Sequence, residues 1–490
     1  MDLLLAVPWI AWSVLLPLVA AALAFAAGRL AVAIGLVTAI LVTAGIAVLA
    51  LQVASGGPQV QHVGGWLAPL GITLRADGLA TLMLALTAVV GFAVTVYAAG
   101  YFASATARGR HFWPLWLFLW AALNALFLSA DVFNVYVTLE LLGLSAVALA
   151  ALTGTPAALA AAMRYLLVSL LGSLAYLLGV ALLYASFATL DMVELGQRTA
   201  PALPVWLALA AMTAGLLLKT ALFPLHFWLP PAHANAPAPV SALLSALVVK
   251  ASFYLLLRLW FQVFPEALTP ALLQVVGALG AAAVLWGSLL ALRQARLKLL
   301  VAYSTVAQLG YLFLAFPMIA ATGGLAWSGT VYFALSHGVA KAAMFLAAGT
   351  MMHVAGHDRI AELRDVAPRL RMGMLSFALA GISLVGLPPS GGFIAKWLLL
   401  KAALSSGQWW WAVILLLGGL LAAGYVFRIT AYAFVTGATR QAVPGVARME
   451  WSAISLALIA TLLGLLAFLP LEFLDAAGPD VEVLALRGAR

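Results

Sequence analysis

Apolar runs of about 18–28 residues recur fourteen times along the chain, separated by Gly, Pro or charged residues. About twenty apolar residues in a helix span the hydrocarbon layer of a bilayer, and only a helix or a closed barrel satisfies its own backbone there. The expected fold class is therefore an all-α polytopic membrane protein with about fourteen transmembrane helices. The spans are read at 3–26, 30–53, 78–101, 112–128, 131–152, 161–188, 204–225, 237–264, 270–292, 297–317, 327–354, 372–401, 409–434 and 451–472. The chain is 66% hydrophobic and only 8% charged, against about 25% charged in a soluble domain. The lipid bilayer is thus its solvent, and the net charge of +9 says nothing of nucleic acid. The longest polar stretch, 54–77, reads as a small folded loop with turn or hairpin character, and no soluble domain is visible. Met1-Asp2 leads straight into apolar sequence without a basic segment, so the first run is expected to be a retained helix rather than a cleaved signal.

The chain has no cysteine, which excludes disulfides, thiolate-held iron–sulfur clusters and a cysteine nucleophile. If the chain serves a redox enzyme, the electrons travel in another subunit. No cluster of carboxylates in the membrane marks a sodium or other metal site, and no cofactor is implied.

Loop charges set the expected orientation. Arg29, Arg108, Arg110, Arg164, Arg293, Arg296, Lys298, Arg359, Arg364, Arg369, Arg371, Arg440 and Arg448 fall in odd-numbered loops, against Arg75, Arg198, Lys401, Arg487 and Arg490 on the other side. By the positive-inside rule the odd loops are cytoplasmic and both termini face outward.

The other six basic residues lie inside spans. A lysine at the bilayer centre costs about 2.5–3.5 kcal/mol on insertion scales, so Lys219, Lys250, Lys341 and Lys396 are functional candidates. One acid sits deep in a span, Glu140 in FNVYVTLELLGLSAV; Asp131 begins that helix, close to water. A single carboxylate cannot neutralise four lysines, so unpaired ones must be hydrated or neutral part of the time. Such groups exchange protons. His337 and Lys341 are four residues apart and share one helix face, which favours a relay over a packing histidine. His226 and His233, in a proline-rich stretch, either line a water-filled break or cap it. His62, His111, His353 and His357 read as solvated. Arg258 and Arg428 pair with carbonyls or snorkel and carry no assigned role.

Pro224 follows Lys219 by five residues and should interrupt its helix. In GISLVGLPPSGGFIAKW, Pro388 and Pro389 with their flanking glycines should interrupt the twelfth span before Lys396. Broken backbone at membrane depth is tolerated only against protein or water. Two interrupted spans five helices apart suggest two inverted repeats, spans four to eight (112–264) and nine to thirteen (270–434). The segment 1–101 precedes them, and 451–490 follows as a last helix and short tail.

TLELLGLSA, KTALFPLHFWLPPAHANAPAPVSALLSALVVK, LKLLVAYSTVAQLGY, SHGVAKAAMFLAAG and GLPPSGGFIAK together resemble the antiporter-like proton-translocating family. That family comprises complex I antiporter-like subunits, related hydrogenase membrane subunits, and the A and D subunits of Mrp cation/proton antiporters. The resemblance implies that Glu140 partners Lys219, that Lys250 stands mid-path, that His337 and Lys341 form a relay, and that Lys396 is terminal. The last position is glutamate in some members. Protons would pass along this midplane line through water, coupled to Na⁺ exchange, in a complex with other membrane subunits of a bacterial or archaeal inner membrane. The short tail and the wording FPLHFWLP and GLPPSGGF are most similar to the D-type Mrp proteins. The other reading is a proton-pumping subunit of a complex I-type or hydrogenase-type redox complex. A scaffold that has lost transport sits poorly with an intact lysine series.

Overall fold

A computed structural model describes residues 7–68, 70–103, 107–365, 370–434 and 446–477. Thirteen helices there are long and apolar enough to cross a membrane, and a fourteenth crossing consists of two shorter helices in succession. In chain order the crossings are α1 (Trp9–Ala26), α2 (Ala31–Gly56), α3 (Gly78–Tyr101), α4 (Ala107–Leu128), α5 (Val132–Ala150), α6 (Pro156–Phe187) and α7 (Leu203–Thr220, resumed over Leu229–Asn235). They continue with α8 (Ala238–Val263), α9 (Pro270–Arg293), α10 (Leu297–Thr322), α11 (Gly324–Ala355), α12 (Arg371–Val385, resumed over Gly391–Ser405), α13 (Trp409–Thr430) and α14 (Ala447–Leu465). Every sequence-predicted span is present.

Helix starts follow capping chemistry. Asp77, Asp131 and Thr155 accept from Ala80, Asn134 and Ala158 backbone N–H groups at the heads of α3, α5 and α6. Prolines stand in the first turns of α6 and α9, where no N–H is needed.

The connections sort onto two faces. The polar loop after α2 is a hairpin, β1 (Gln59–His62) antiparallel to β2 (Thr73–Ala76), as its composition suggests. Ala130 N–H donates to Thr73 O at 3.0 Å and Met192 N–H to Ala130 O at 2.9 Å, joining the even-numbered loops two, four and six. On the opposite face Leu297 N–H donates to Asp358 O at 2.7 Å and Ile360 N–H to Ala295 O at 2.9 Å, joining loops nine and eleven. Successive helices therefore run in opposite directions.

Helices α8 and α11 are enclosed on all sides and α10 nearly so, while α9, α13 and α14 leave wide apolar faces outward. Charged residues on α8, α10 and α11 consequently meet protein, not lipid. Two wide turns in α8, Leu244–Val248 and Leu259–Val263, shift the backbone bond by one residue; Phe264 N–H reaches Leu259 O at 2.8 Å. Such bulges recur at functional sites.

Two basic residues stand where the sequence did not place them. Lys298, counted among solvated loop charges, is buried in the first turn of α10. The reason is its own position: its flexible stem carries the ammonium inward to Ala236 O, which needs a donor at the end of a helix. Arg258 pairs with Asp77 through contacts of 2.5 and 2.7 Å and also donates to the Tyr254 hydroxyl at 3.0 Å. Arg428 does meet carbonyls, those of Leu292 and Gln294 at 2.7 and 2.8 Å. Met1, Asp2, Arg369, Arg440, Arg487 and Arg490 lie outside the described residues, as do the side chains of Arg108 and Arg364.

Candidate functional site

Both expected breaks form. Helix α7 stops at Thr220, one residue after Lys219, where Ala221 takes a left-handed φ of 58°. The break therefore opens three residues before Pro224. Helix α12 stops at Val385, where Gly386 has φ 89°. Glycine is required there by conformation, and a Cβ would also lie 2.7 Å from Lys396 Cδ.

Each break has a lysine associated with the carbonyl end of a half-helix. Lys219 belongs to the last turn of α7's first half. Lys396 lies beyond its break and reaches back, donating to Leu384 O at 2.8 Å and Val385 O at 3.1 Å. A helix C-terminus carries partial negative charge and unpaired carbonyls, so it favours a cation.

Lys219 is buried and donates to Ser169 Oγ at 2.9 Å. Gly143 on α5 makes room for this contact; a Cβ there would stand 2.6 Å from Ser169 Oγ and 3.6 Å from Lys219 Nζ. Glu140 is within electrostatic reach of Lys219, but no ion pair closer than 4.0 Å joins them. The family resemblance implied the two as partners; in this structure they are neighbours without a direct ion pair. Glu140 is half-buried on an α5 stripe shared with the exposed Phe133, Val137 and Leu144, and its Oε1 has no partner among the described residues.

Three more expected residues are buried inside the molecule, and a fourth, Lys396, is half-buried near them. Lys250 is fully buried on α8 and donates to Ser245 O at 2.8 Å, within the wide turn. Lys341, fully buried on α11, donates to Val301 O at 2.8 Å and Ser304 Oγ at 2.5 Å. His337 lies one turn away, stacked on Phe333 at 5.7 Å, with no partner for either ring nitrogen among the described residues. It is within electrostatic reach of Lys250, Lys341 and Lys396. Lys396 sits 4.3 Å from the Tyr311 ring centroid, a cation–π contact.

Helix α10 connects these groups, and sequence reading assigned it no site residue. Ser304 and Thr305, then Gln308 and Tyr311, fall three or four residues apart and so share a face. Ser304 holds Lys341, and Thr305 Oγ1 lies 2.9 Å from Ser245 Oγ beside Lys250. Gln308 Nε2 reaches Leu384 O at 3.2 Å and Tyr425 Oη at 3.3 Å, and among the described residues its Oε1 has no partner. The signal was present in LKLLVAYSTVAQLGY, where polar residues recur at helical spacing in an apolar span.

The remaining candidates lie elsewhere. His226 is half-buried in the α7 break, stacked on Phe223 at 5.6 Å. Pro224, Pro388 and Pro389 are exposed beside their breaks, whose backbone reaches the outside of this chain. His233, in contrast, is buried and stacked on Phe345 at 5.0 Å. Of the four histidines read as solvated, His111 and His353 are exposed, and His62 and His357 are half-buried. Among the described residues no group of three or more His, Cys, Asp or Glu could hold a metal ion.

A polytopic helical protein with two lysine-bearing breaks and a buried row of bases belongs, by fold and site, to the antiporter-like membrane subunits. Residues 129–422 match the family model described as NADH:quinone oxidoreductase/Mrp antiporter, transmembrane, and the chain belongs to that family. It is similar to the N subunit of the NADH-quinone oxidoreductase of Desulforudis audaxviator, 38% identical over 399 residues, covering 80% of this chain and 79% of that protein. It is also similar to the D subunit of the Na⁺/H⁺ antiporter of Alkalihalophilus pseudofirmus, 30% identical over 397 residues, covering 79% and 78%. A chain in the solved Mrp complex from Dietzia sp. DQ12-45-1b shares the fold over the full length of both, with a TM-score of 0.86 at 24% identity.

Proposed function

We propose that this chain is the proton-carrying membrane subunit of a multisubunit Na⁺/H⁺ antiporter of the Mrp type, similar to the D-type proteins of such complexes. One observation carries the proposal: Lys250, His337 and Lys341 are buried and Lys396 is half-buried within electrostatic reach of His337, and among the described residues none of them meets a carboxylate within 4.0 Å. Unpaired bases in an apolar interior have a small free-energy gap between protonated and neutral forms, so a proton passes along them with little loss.

In the proposed cycle, Lys219 holds its proton while Glu140 is close. When the pair opens, as in the arrangement held by the bond to Ser169, the ammonium loses its counter-charge and its proton moves through water to Lys250. From there it passes by Lys341 and His337 to Lys396. Ser304, Thr305, Gln308 and Tyr311 anchor the carriers and orient the intervening water. Release at Lys396 returns the chain to its starting charge. Exchange with Na⁺ is completed elsewhere in the complex.

Partner subunits also account for three surface features. Glu140 interrupts an apolar stripe, and the α7 and α12 breaks reach the outside of the chain. Ionisable and non-helical groups at membrane depth need protein or water cover, which neighbouring membrane subunits provide. The proposed setting is a bacterial or archaeal inner membrane, with odd loops cytoplasmic and both termini outside. The proposed units are inverted repeats over 112–264 and 270–434, supported by the two broken helices five crossings apart.

A second reading is favoured by the 38% identity to the oxidoreductase N subunit: the same path driven by an attached redox enzyme. Gentle purification followed by mass spectrometry separates the two. Small hydrophobic subunits alone, with a Na⁺-driven pH change in vesicles, support the antiporter. Co-purifying flavin or iron–sulfur proteins favour the redox pump, and a solitary chain contradicts both.

A further inference from the structure

One membrane lysine takes no part in the path above. Lys298 is 2% exposed in the first turn of α10, and its Nζ donates to Ala236 O at the end of the second half of α7. Among the described residues no carboxylate lies within 4.0 Å of its ammonium. Asp358, near enough to interact with it, is already paired with Arg296 at 2.6 Å. That pair lies on the face of loops nine and eleven, with Arg296 exposed and Asp358 half-buried, and Arg296 is the residue that opens α10.

Inward from Lys298, α10 leads to the carriers. Val301 is one turn on and Ser304 two, and both hold Lys341; at 1.5 Å per residue they lie about 4.5 and 9 Å deeper along the axis. His233 completes the connection. It is three residues before Ala236 and 1% exposed; among the described residues no side chain bonds either ring nitrogen, and the ring lies near the Ser241 backbone. Its ring packs 5.0 Å from that of Phe345, and the Lys341 ammonium lies 5.9 Å from the same Phe345 centroid. His233 is within electrostatic reach of Lys298, Lys341 and Lys250.

We propose that Lys298 and His233 form the branch through which protons enter the buried path from the face carrying loops nine and eleven. The inference rests on the reading that the buried lysines carry protons. An O–H bond of a hydronium ion in surface water breaks as its proton bonds to the neutral Nζ of Lys298, leaving water. That N–H bond breaks as one forms on a ring nitrogen of His233, directly or through water, and the imidazolium passes its proton to Lys341. Lys298 and His233 end neutral, and no electron moves.

A purely structural role, a cation capping Ala236 O, predicts something different. Arginine supplies the charge and the donor but does not deprotonate. Vesicles carrying the whole complex are started with Na⁺, or with NADH if the complex is redox-linked, and the pH change is followed by dye. Lys298→Arg is expected to assemble normally and to slow proton movement at least about a hundredfold, as loss of a proton-transfer group does. His233→Gln, which keeps a polar side chain but no titrating ring, is expected to do the same. A wild-type rate in Lys298→Arg overturns the branch, and where that variant fails to assemble, a wild-type rate in His233→Gln overturns it. Lys219→Arg tells the two failures apart. If it is inactive while Lys298→Arg is active, the branch alone is wrong; if it too keeps the wild-type rate, the underlying path is wrong.

Discussion

Lys219 and Ser169 meet at 2.9 Å across the α6–α7 contact, and this bond, not an ion pair with Glu140, holds the buried ammonium. A hydrogen bond to a charged group contributes about 1.5–3 kcal/mol. Ser169→Ala should therefore lower the rate of driven proton movement about tenfold or more, with the complex still assembled. Gly143→Ala should act on the same contact by forcing Ser169 aside. Parallel vesicle assays and native gels check both; unchanged rates would leave the Lys219–Ser169 bond without a role in transport.

Asp77 and Arg258 tie the head of α3 to α8 in a buried ion pair. Removing one partner of such a pair costs about 3–5 kcal/mol, because the other charge stays buried and unpaired. Asp77→Asn should lower the thermal midpoint of the purified complex clearly. The double change Asp77→Leu with Arg258→Met should recover much of the loss, since apolar replacements of both partners are often neutral.

Most of the fold was legible because apolar run length answers directly to bilayer thickness, which is why all fourteen crossings were found. The breaks at 221 and 386 were legible from Pro224, Pro388 and the glycines around them. Lys298 was misplaced because sequence distance from a helix end does not say which way a flexible four-carbon stem turns. Asp77 and Arg258 are 181 residues apart, so no local pattern pairs them. Ser169 is one of several serines on α6, and only the α5–α6–α7 packing singles it out. The α10 stripe was readable at helical spacing once Ser304, Gln308 and Tyr311 were taken as one face.

Gly386 should tolerate no side chain. A non-glycine residue at φ 89° costs about 1–2 kcal/mol, and the added Cβ would press on Lys396. Gly386→Ala is expected to cut proton movement several-fold while the other crossings stay folded, measured by vesicle assay beside a melting curve.

Gln308→Leu keeps side-chain size but removes the donor to Leu384 and Tyr425 and the free acceptor between Lys341 and Lys396. Proton movement should fall while the thermal midpoint stays near wild type. A fall in both would assign Gln308 to packing instead.

Lys250 offers the most direct measurement. It is fully buried, bonded to a backbone carbonyl of its own helix, and meets no carboxylate within 4.0 Å among the described residues. Methionine has similar volume and removes a buried charge, so Lys250→Met should leave assembly intact. Driven proton movement in vesicles carrying the whole complex should drop at least about a hundredfold, the lower range for a lost proton-transfer group. A wild-type rate in fully assembled Lys250→Met complex would contradict a proton path along these lysines.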